Sequence, residues 1–127
     1  MAVSGLDHIN LQAPQDALRT ARDFYVDVIG LSEGGRPGFR RPGYWLYAGD
    51  HPILHLTEEV SAPTGTTCTT QDHVAFACGD AHAMKVRLET AGVPFQCKEV
   101  PGKGILQIFL HDPLGNGVEL NFGEGSC

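Results

Sequence analysis

The chain repeats itself at half its own length, and no other feature constrains the fold as much. Leu6-Asp7-His8-Ile9-Asn10-Leu11 resembles Gln71-Asp72-His73-Val74-Ala75-Phe76 at an offset of 65, and Ile53-Leu54-His55-Leu56 resembles Gly117-Val118-Glu119-Leu120 at an offset of 64. Between these pairs, a stretch ending at Gly30-Leu31 answers another ending at Gly92-Val93. A period this long marks a repeated supersecondary unit rather than a short solenoid repeat. Two such units account for nearly all of the 127 residues: module one spans about 1–60, module two about 71–127, and Ser61 to Thr70 links them within one domain.

Each module reads as strand, helix and three strands. Leu6–Gln12 has strand character. Gln15–Ile29 follows as a helix, with Ala17, Leu18, Ala21, Phe24, Tyr25 and Val28 forming one apolar stripe at three- and four-residue spacing. Gly30 suits the left-handed position beyond the helix end. Strands are expected at Leu31–Arg36, Tyr44–Ala48 and Ile53–Glu58, and His51 falls in the turn before the last of them. Module two repeats the order: a strand at Gln71–Cys78, a helix at Ala81–Ala91, and strands near Pro94–Val100, Ile105–His111 and Val118–Phe122. Asp112-Pro113-Leu114-Gly115-Asn116-Gly117 is a dense turn signal before the last strand.

Composition excludes several classes of function. The formal charge is −6, and the nine Lys and Arg occur singly or in pairs, so there is no basic face for nucleic acid. No apolar run approaches the roughly 20 residues of a membrane span, and Met1 to Asp7 lacks the basic and apolar regions of a signal peptide. A cytoplasmic location is expected. Cys68, Cys78, Cys97 and Cys127 lack C-x-x-C spacing and are expected to be reduced thiols.

Alternation along the strands places four chemically similar positions on one side. His8 opposes Ile9 and Leu11; His55 opposes Leu54 and Leu56; His73 opposes Val74 and Phe76; Glu119 opposes Val118 and Leu120. A single strand histidine is ordinarily a hydrogen-bonded structural residue. Here offset, parity and the matching spacings of 47 (His8 to His55) and 46 (His73 to Glu119) coincide. Three imidazoles and a carboxylate are the donors a first-row divalent ion takes. His51, His82 and His111 lack this pattern and are read as surface or supporting residues. Alternation is expected to send Trp45 to one side and Tyr44 and Tyr47 to the other, and Arg40 and Arg41 lie in the preceding loop.

These residues resemble the vicinal oxygen chelate superfamily, which includes glyoxalase I, fosfomycin resistance proteins, extradiol dioxygenases and bleomycin-binding proteins. The resemblance runs through Leu6-Asp7-His8-Ile9, Phe24-Tyr25-Val26-Asp27-Val28-Ile29-Gly30-Leu31, Asp72-His73-Val74-Ala75-Phe76 and Phe109 to Leu120. It implies an α+β fold in which tandem βαβββ modules form a cup-shaped mixed sheet with helices on the convex face, usually within a homodimer. It places the metal ligands on His8, His55, His73 and Glu119, and the ion would be Zn, Ni, Mn or Fe(II).

Departures from the subfamilies narrow the chemistry. Extradiol dioxygenases carry a His and then a Tyr before the ligand Glu, and this chain has Phe109 at the Tyr position. Glyoxalase I usually has a carboxylate where His55 stands, and bacterial forms often have Arg where this chain has Gln12. The resulting expectation is a metal-dependent lyase or isomerase acting on a small carbonyl or α-hydroxy-carbonyl compound. Glu119 would be its base, and Arg41, Tyr44, Trp45 and Tyr47 its substrate-binding residues. An Fe(II) ring-cleaving dioxygenase and a non-catalytic binding protein of the bleomycin-resistance type are the alternatives.

Overall fold

A computed structural model describes residues 5–62 and 71–127. The chain divides into two compact units, Met1–Thr64 and Gly65–Cys127. Each carries its own four-stranded mixed sheet, so the fold is α+β with one βαβββ unit per half. Of the expected linker, Ser61 to Thr70, residues 63–70 lie outside the described residues.

In the first unit β1 (Ile9–Ala13) leads into α1 (Gln15–Asp23), and β2 (Ser32–Gly34), β3 (Gly43–Ala48) and β4 (His51–Glu58) follow. The sheet order is β1-β4-β3-β2. The first and last strands pair in parallel, Ile9 with Leu54 and Asn10 with His55, while the other pairs are antiparallel. Leu54, Leu56 and Leu46 are almost wholly buried on one side of the sheet, and Leu18 and Ala21 of α1 are buried with them.

Two local expectations are corrected here. The expected single α-helix over Gln15–Ile29 changes winding at Phe24, and Phe24–Ile29 forms a π-helix ending at Gly30 (φ 102°). The Tyr25 carbonyl accepts from the amides of both Gly30 and Leu31. The wider turn moves burial from the expected Val28 to Ile29, so that Phe24, Tyr25 and Ile29 are buried together. His51 starts β4 rather than lying in a turn, and the turn itself is Gly49-Asp50.

The second unit repeats the plan closely. It consists of β5 (His73–Cys78), α2 (Ala81–Thr90), β6 (Gln96–Val100), β7 (Ile105–His111) and β8 (Gly117–Phe122), in sheet order β5-β8-β7-β6. Asp80 caps α2 by accepting from the Ala83 amide at 3.0 Å. Ala81, Met84 and Leu88 are buried on that helix, and Leu106, Ile108, Val118, Leu120 and Phe122 on the strands. The turn before β8 is organised by buried Asp112, whose Oδ1 accepts from the amides of Leu114 and Asn116.

The expectation of reduced thiols is overturned for two cysteines. Cys97 on β6 is bonded to Cys127, with 5.8 Å between their Cα atoms. Spacing along the chain could not reveal this pair, because the bridge spans 30 residues and joins a strand to the segment after β8. Cys78 is a free thiol, and burial pushes its pKa up. Cys68 lies outside the described residues. Among the described residues no helix is long and apolar enough to cross a membrane.

Candidate metal centre

Each unit opens with Asp-His and treats that dipeptide in the same way. The Nδ1 atom of His8 lies 2.7 Å from Asp7 Oδ2, and Nδ1 of His73 lies 2.9 Å from Asp72 Oδ2. A carboxylate on Nδ1 fixes the ring and leaves Nε2 as the outward nitrogen, the arrangement that orients metal-binding histidines. The repeated Asp7 and Asp72 were visible in the sequence, but their supporting role was not inferred there. His8 sits one residue before β1 rather than inside it.

In the second unit, His73 Nε2 faces Glu119 Oε1 at 3.3 Å. Glu119 is 7% exposed, an unusual setting for a carboxylate without compensating partners. Its Oε2 accepts from Asn121 Nδ2 at 2.7 Å and from Gln107 Nε2 at 3.4 Å. Asn121 follows Glu119 by two residues, so strand alternation already placed it on the same side. Gln107 comes from β7, where it pairs with Asn121, and only the strand register reveals it. The pKa of His73 is raised, chiefly by its hydrogen bond to Asp72 and further by Glu119. Gly117 makes room for this pair: a Cβ there would press on the Asp72 carbonyl and come within 3.1 Å of His73 Cβ.

The first unit surrounds its second histidine differently. The His55 ring stacks on His8, with centroids 3.7 Å apart, and on Trp45, with centroids 4.2 Å apart. His55 Nε2 lies 3.1 Å from the Pro52 carbonyl, which leaves Nδ1 as the other nitrogen. Burial lowers the pKa of His55, and the neighbouring His8 lowers it further. Parallel rings direct their in-plane lone pairs along parallel planes. For His8 and His55 to serve one ion, one ring must therefore turn.

Among the described residues of either unit, no group of three or more His, Cys, Asp or Glu side chains is placed to hold a metal. Each half offers two candidate donors. The donor chemistry fits a first-row divalent ion, since two imidazoles have their far nitrogens held by carboxylates and the candidate carboxylate is buried and fixed by two amides. His55 fits only after leaving its stack.

The aromatic residues of β3 divide differently from the expectation. Tyr44 lies under the Arg22 guanidinium of α1, 4.7 Å from its ring centroid, on the helix side of the sheet. Trp45 pairs with His55 across the strands and shares its face. Tyr47 shares that face too: its ring fills the space beside Gly34, and its hydroxyl donates to the Gly35 carbonyl at 2.6 Å. Positions 45 and 47 are two apart, so the two-residue period unites them. Arg41 Nη1 lies 3.6 Å from Glu59 Oε1. His51 Nε2 lies 2.7 Å from the Asp7 carbonyl, supporting the segment that presents His8. Beside these residues, a cavity of about 560 Å³ in the first unit is lined by His8, His55 and Trp45 together with Arg36, Arg40 and Arg41.

The fold is the one shared by solved structures of the vicinal oxygen chelate superfamily. The solved structures with the same fold include a glyoxalase family protein from Bacillus anthracis, 23% identical with a TM-score of 0.75, covering 96% of this chain and 97% of that one. A lactoylglutathione lyase from Agrobacterium tumefaciens is 25% identical with a TM-score of 0.68, covering 97% and 96%. A variant of the fosfomycin resistance protein FosX from Listeria monocytogenes, complexed with Mn(II) and 1S,2S-dihydroxypropylphosphonic acid, is 17% identical with a TM-score of 0.71, covering 98% and 94%. No protein-family model and no curated protein sequence matches the chain.

Proposed function

We propose that this chain is a metal-dependent lyase or isomerase of glyoxalase-like type, acting on a small carbonyl or α-hydroxy-carbonyl compound. The observation that carries the reading is the pairing of His73 Nε2 with Oε1 of buried Glu119, while Asp72 holds the far side of the ring. His8, His55, His73 and Glu119 are the residues that would hold the ion, and the chain would work as a homodimer. A bound Zn, Ni, Mn or Fe(II) supplies Lewis acidity toward two vicinal oxygens of the substrate. Among the relatives, FosX is complexed with Mn(II).

Glu119 is the base of this proposal. Asn121 and Gln107 occupy its Oε2, so Oε1, which faces His73, is the oxygen that would hold the ion and, on leaving it, take the α-proton. Trp45 and Arg41 stand on the substrate side, whereas Tyr44, under Arg22, does not. Phe109 lies directly across from Glu119 in the β7–β8 register. It has no phenol to act on oxygen, which favours proton transfer over ring cleavage.

Metal analysis of the purified protein, followed by turnover of 2-oxoaldehydes with and without added thiol, tests the reading. Close to one divalent ion per chain is expected, with most of it lost in His73→Ala. Glu119→Gln is expected to abolish turnover in the ion-loaded protein. Full metal content in His73→Ala overturns the site.

A further inference from the structure

We infer that the cavity of the first unit receives an anionic substrate with a planar body, and that the Arg36 guanidinium is the anchor for its acid group. The inference deepens the proposed function and rests on its placement of His8 and His55 beside the reacting end of the substrate.

The charge distribution points to an anion. The chain is acidic overall, yet three of its nine Lys and Arg residues, Arg36, Arg40 and Arg41, line this one cavity. The carboxylate on its lining, Asp7, is already engaged by His8. Arg41 has Glu59 as a partner. Among the described residues, no carboxylate lies within ion-pair distance of Arg36 or Arg40.

Arg36 is nonetheless held in place. Its Nη2 donates to the Arg41 carbonyl at 3.0 Å, and its guanidinium carbon lies 5.0 Å over the Phe39 ring. Gly43 closes the third side: a Cβ there would come 2.9 Å from Nη2 and would press on the Leu56 carbonyl. A planar cation fixed by a carbonyl, a ring and a glycine, with no counter-ion of its own, is preorganised for a carboxylate or a related oxyanion.

The neighbouring wall is aromatic. Trp45 stacks on His55, and the Phe39 ring lies 6.1 Å from Trp45 at 46°. An unsaturated or aromatic body placed against these rings spans the distance between the acid anchor and the histidines.

Trp45 is the single tryptophan of the chain, so its fluorescence reports occupancy of the cavity. The test titrates phenylglyoxylate, its uncharged methyl ester and pyruvate against the full chain, after chelator treatment and again with Mn(II). Saturable change with phenylglyoxylate is expected in both states, with the ester and pyruvate each binding roughly tenfold more weakly. Arg36→Gln should erase the preference of acid over ester, and Arg19→Gln, which removes a cation that does not line the cavity and is paired with Asp16, should leave it intact. Equal binding of acid and ester by the unaltered chain overturns the inference, as does an absence of saturable change. So does an undiminished acid preference in folded Arg36→Gln. An acid preference that Mn(II) fails to strengthen supports the anchor and counts against the metal reading alone.

Discussion

The two halves of this chain share a strand order, a helix position and an opening Asp-His, and they differ in what stands opposite the histidine. In the second half it is Glu119, a carboxyl group buried against His73. In the first half it is His55, which lies flat on His8 and Trp45. One duplicated scaffold thus gives opposite electrostatics: the pKa of His73 is raised and that of His55 is lowered. The difference teaches that the repeat fixes where a donor sits, while its neighbours decide which charge it prefers.

The largest expected effect separates the halves by redox state. The described cysteines, Cys78, Cys97 and Cys127, lie in the second unit, and the Cys97–Cys127 bridge closes a 30-residue separation. Chain-entropy arguments give such a bridge about 3.5 kcal/mol. Reduction, or Cys127→Ser, should lower the stability of the second unit by about that amount in urea titrations, leaving exchange protection of first-unit amides unchanged. Equal loss in both halves would break the distinction.

Core truncation sharpens it next. Leu56 and Leu120 occupy matching repeat positions on strands β4 and β8, each fully buried. Leu56→Ala and Leu120→Ala should each cost about 3 kcal/mol by denaturant titration. A large disagreement between them would show that the duplicated cores are not packed alike.

The smallest expected effect is in titration, and its sign differs between the halves. In metal-free protein, NMR should find His73 titrating above and His55 below the ordinary value of 6.5. The His73 contribution to stability is then full below the unfolded value and disappears as pH rises through the folded one. The His55 contribution is unfavourable, appearing as pH falls below 6.5 and complete below its folded value. Because Asp72 is the leading cause for His73, Asp72→Asn should move its titration more than Glu119→Gln does. Identical titration of both imidazoles would remove the contrast.

Much of the fold was legible because the repeat and the strand period are local signals. Matching offsets located both modules, and alternation put His55 opposite Leu54 and Leu56, and Glu119 among buried neighbours. What escaped depends on contacts between distant segments or on departures from ideal winding. The Cys97–Cys127 bond needs β6 and the tail side by side, which spacing does not encode. The hold of Gln107 on Glu119 depends on the β7–β8 register. The π-helical turn shifts burial by one residue, from Val28 to Ile29, where an ideal helical period fails. The stacking of His55 on Trp45 follows from strand pairing, but its effect on the ring's donor direction does not.

In each sheet the first strand lies beside the last, Ile9 with Leu54 and Val74 with Val118. The opening strand therefore waits, without a neighbour in its own sheet, until the closing strand has been made. Each half must consequently form as an indivisible piece, at a rate governed by the long loop between its ends. A break within a surface turn leaves such a closure intact, whereas deletion of β4 or β8 leaves β1 or β5 with nothing to zip onto.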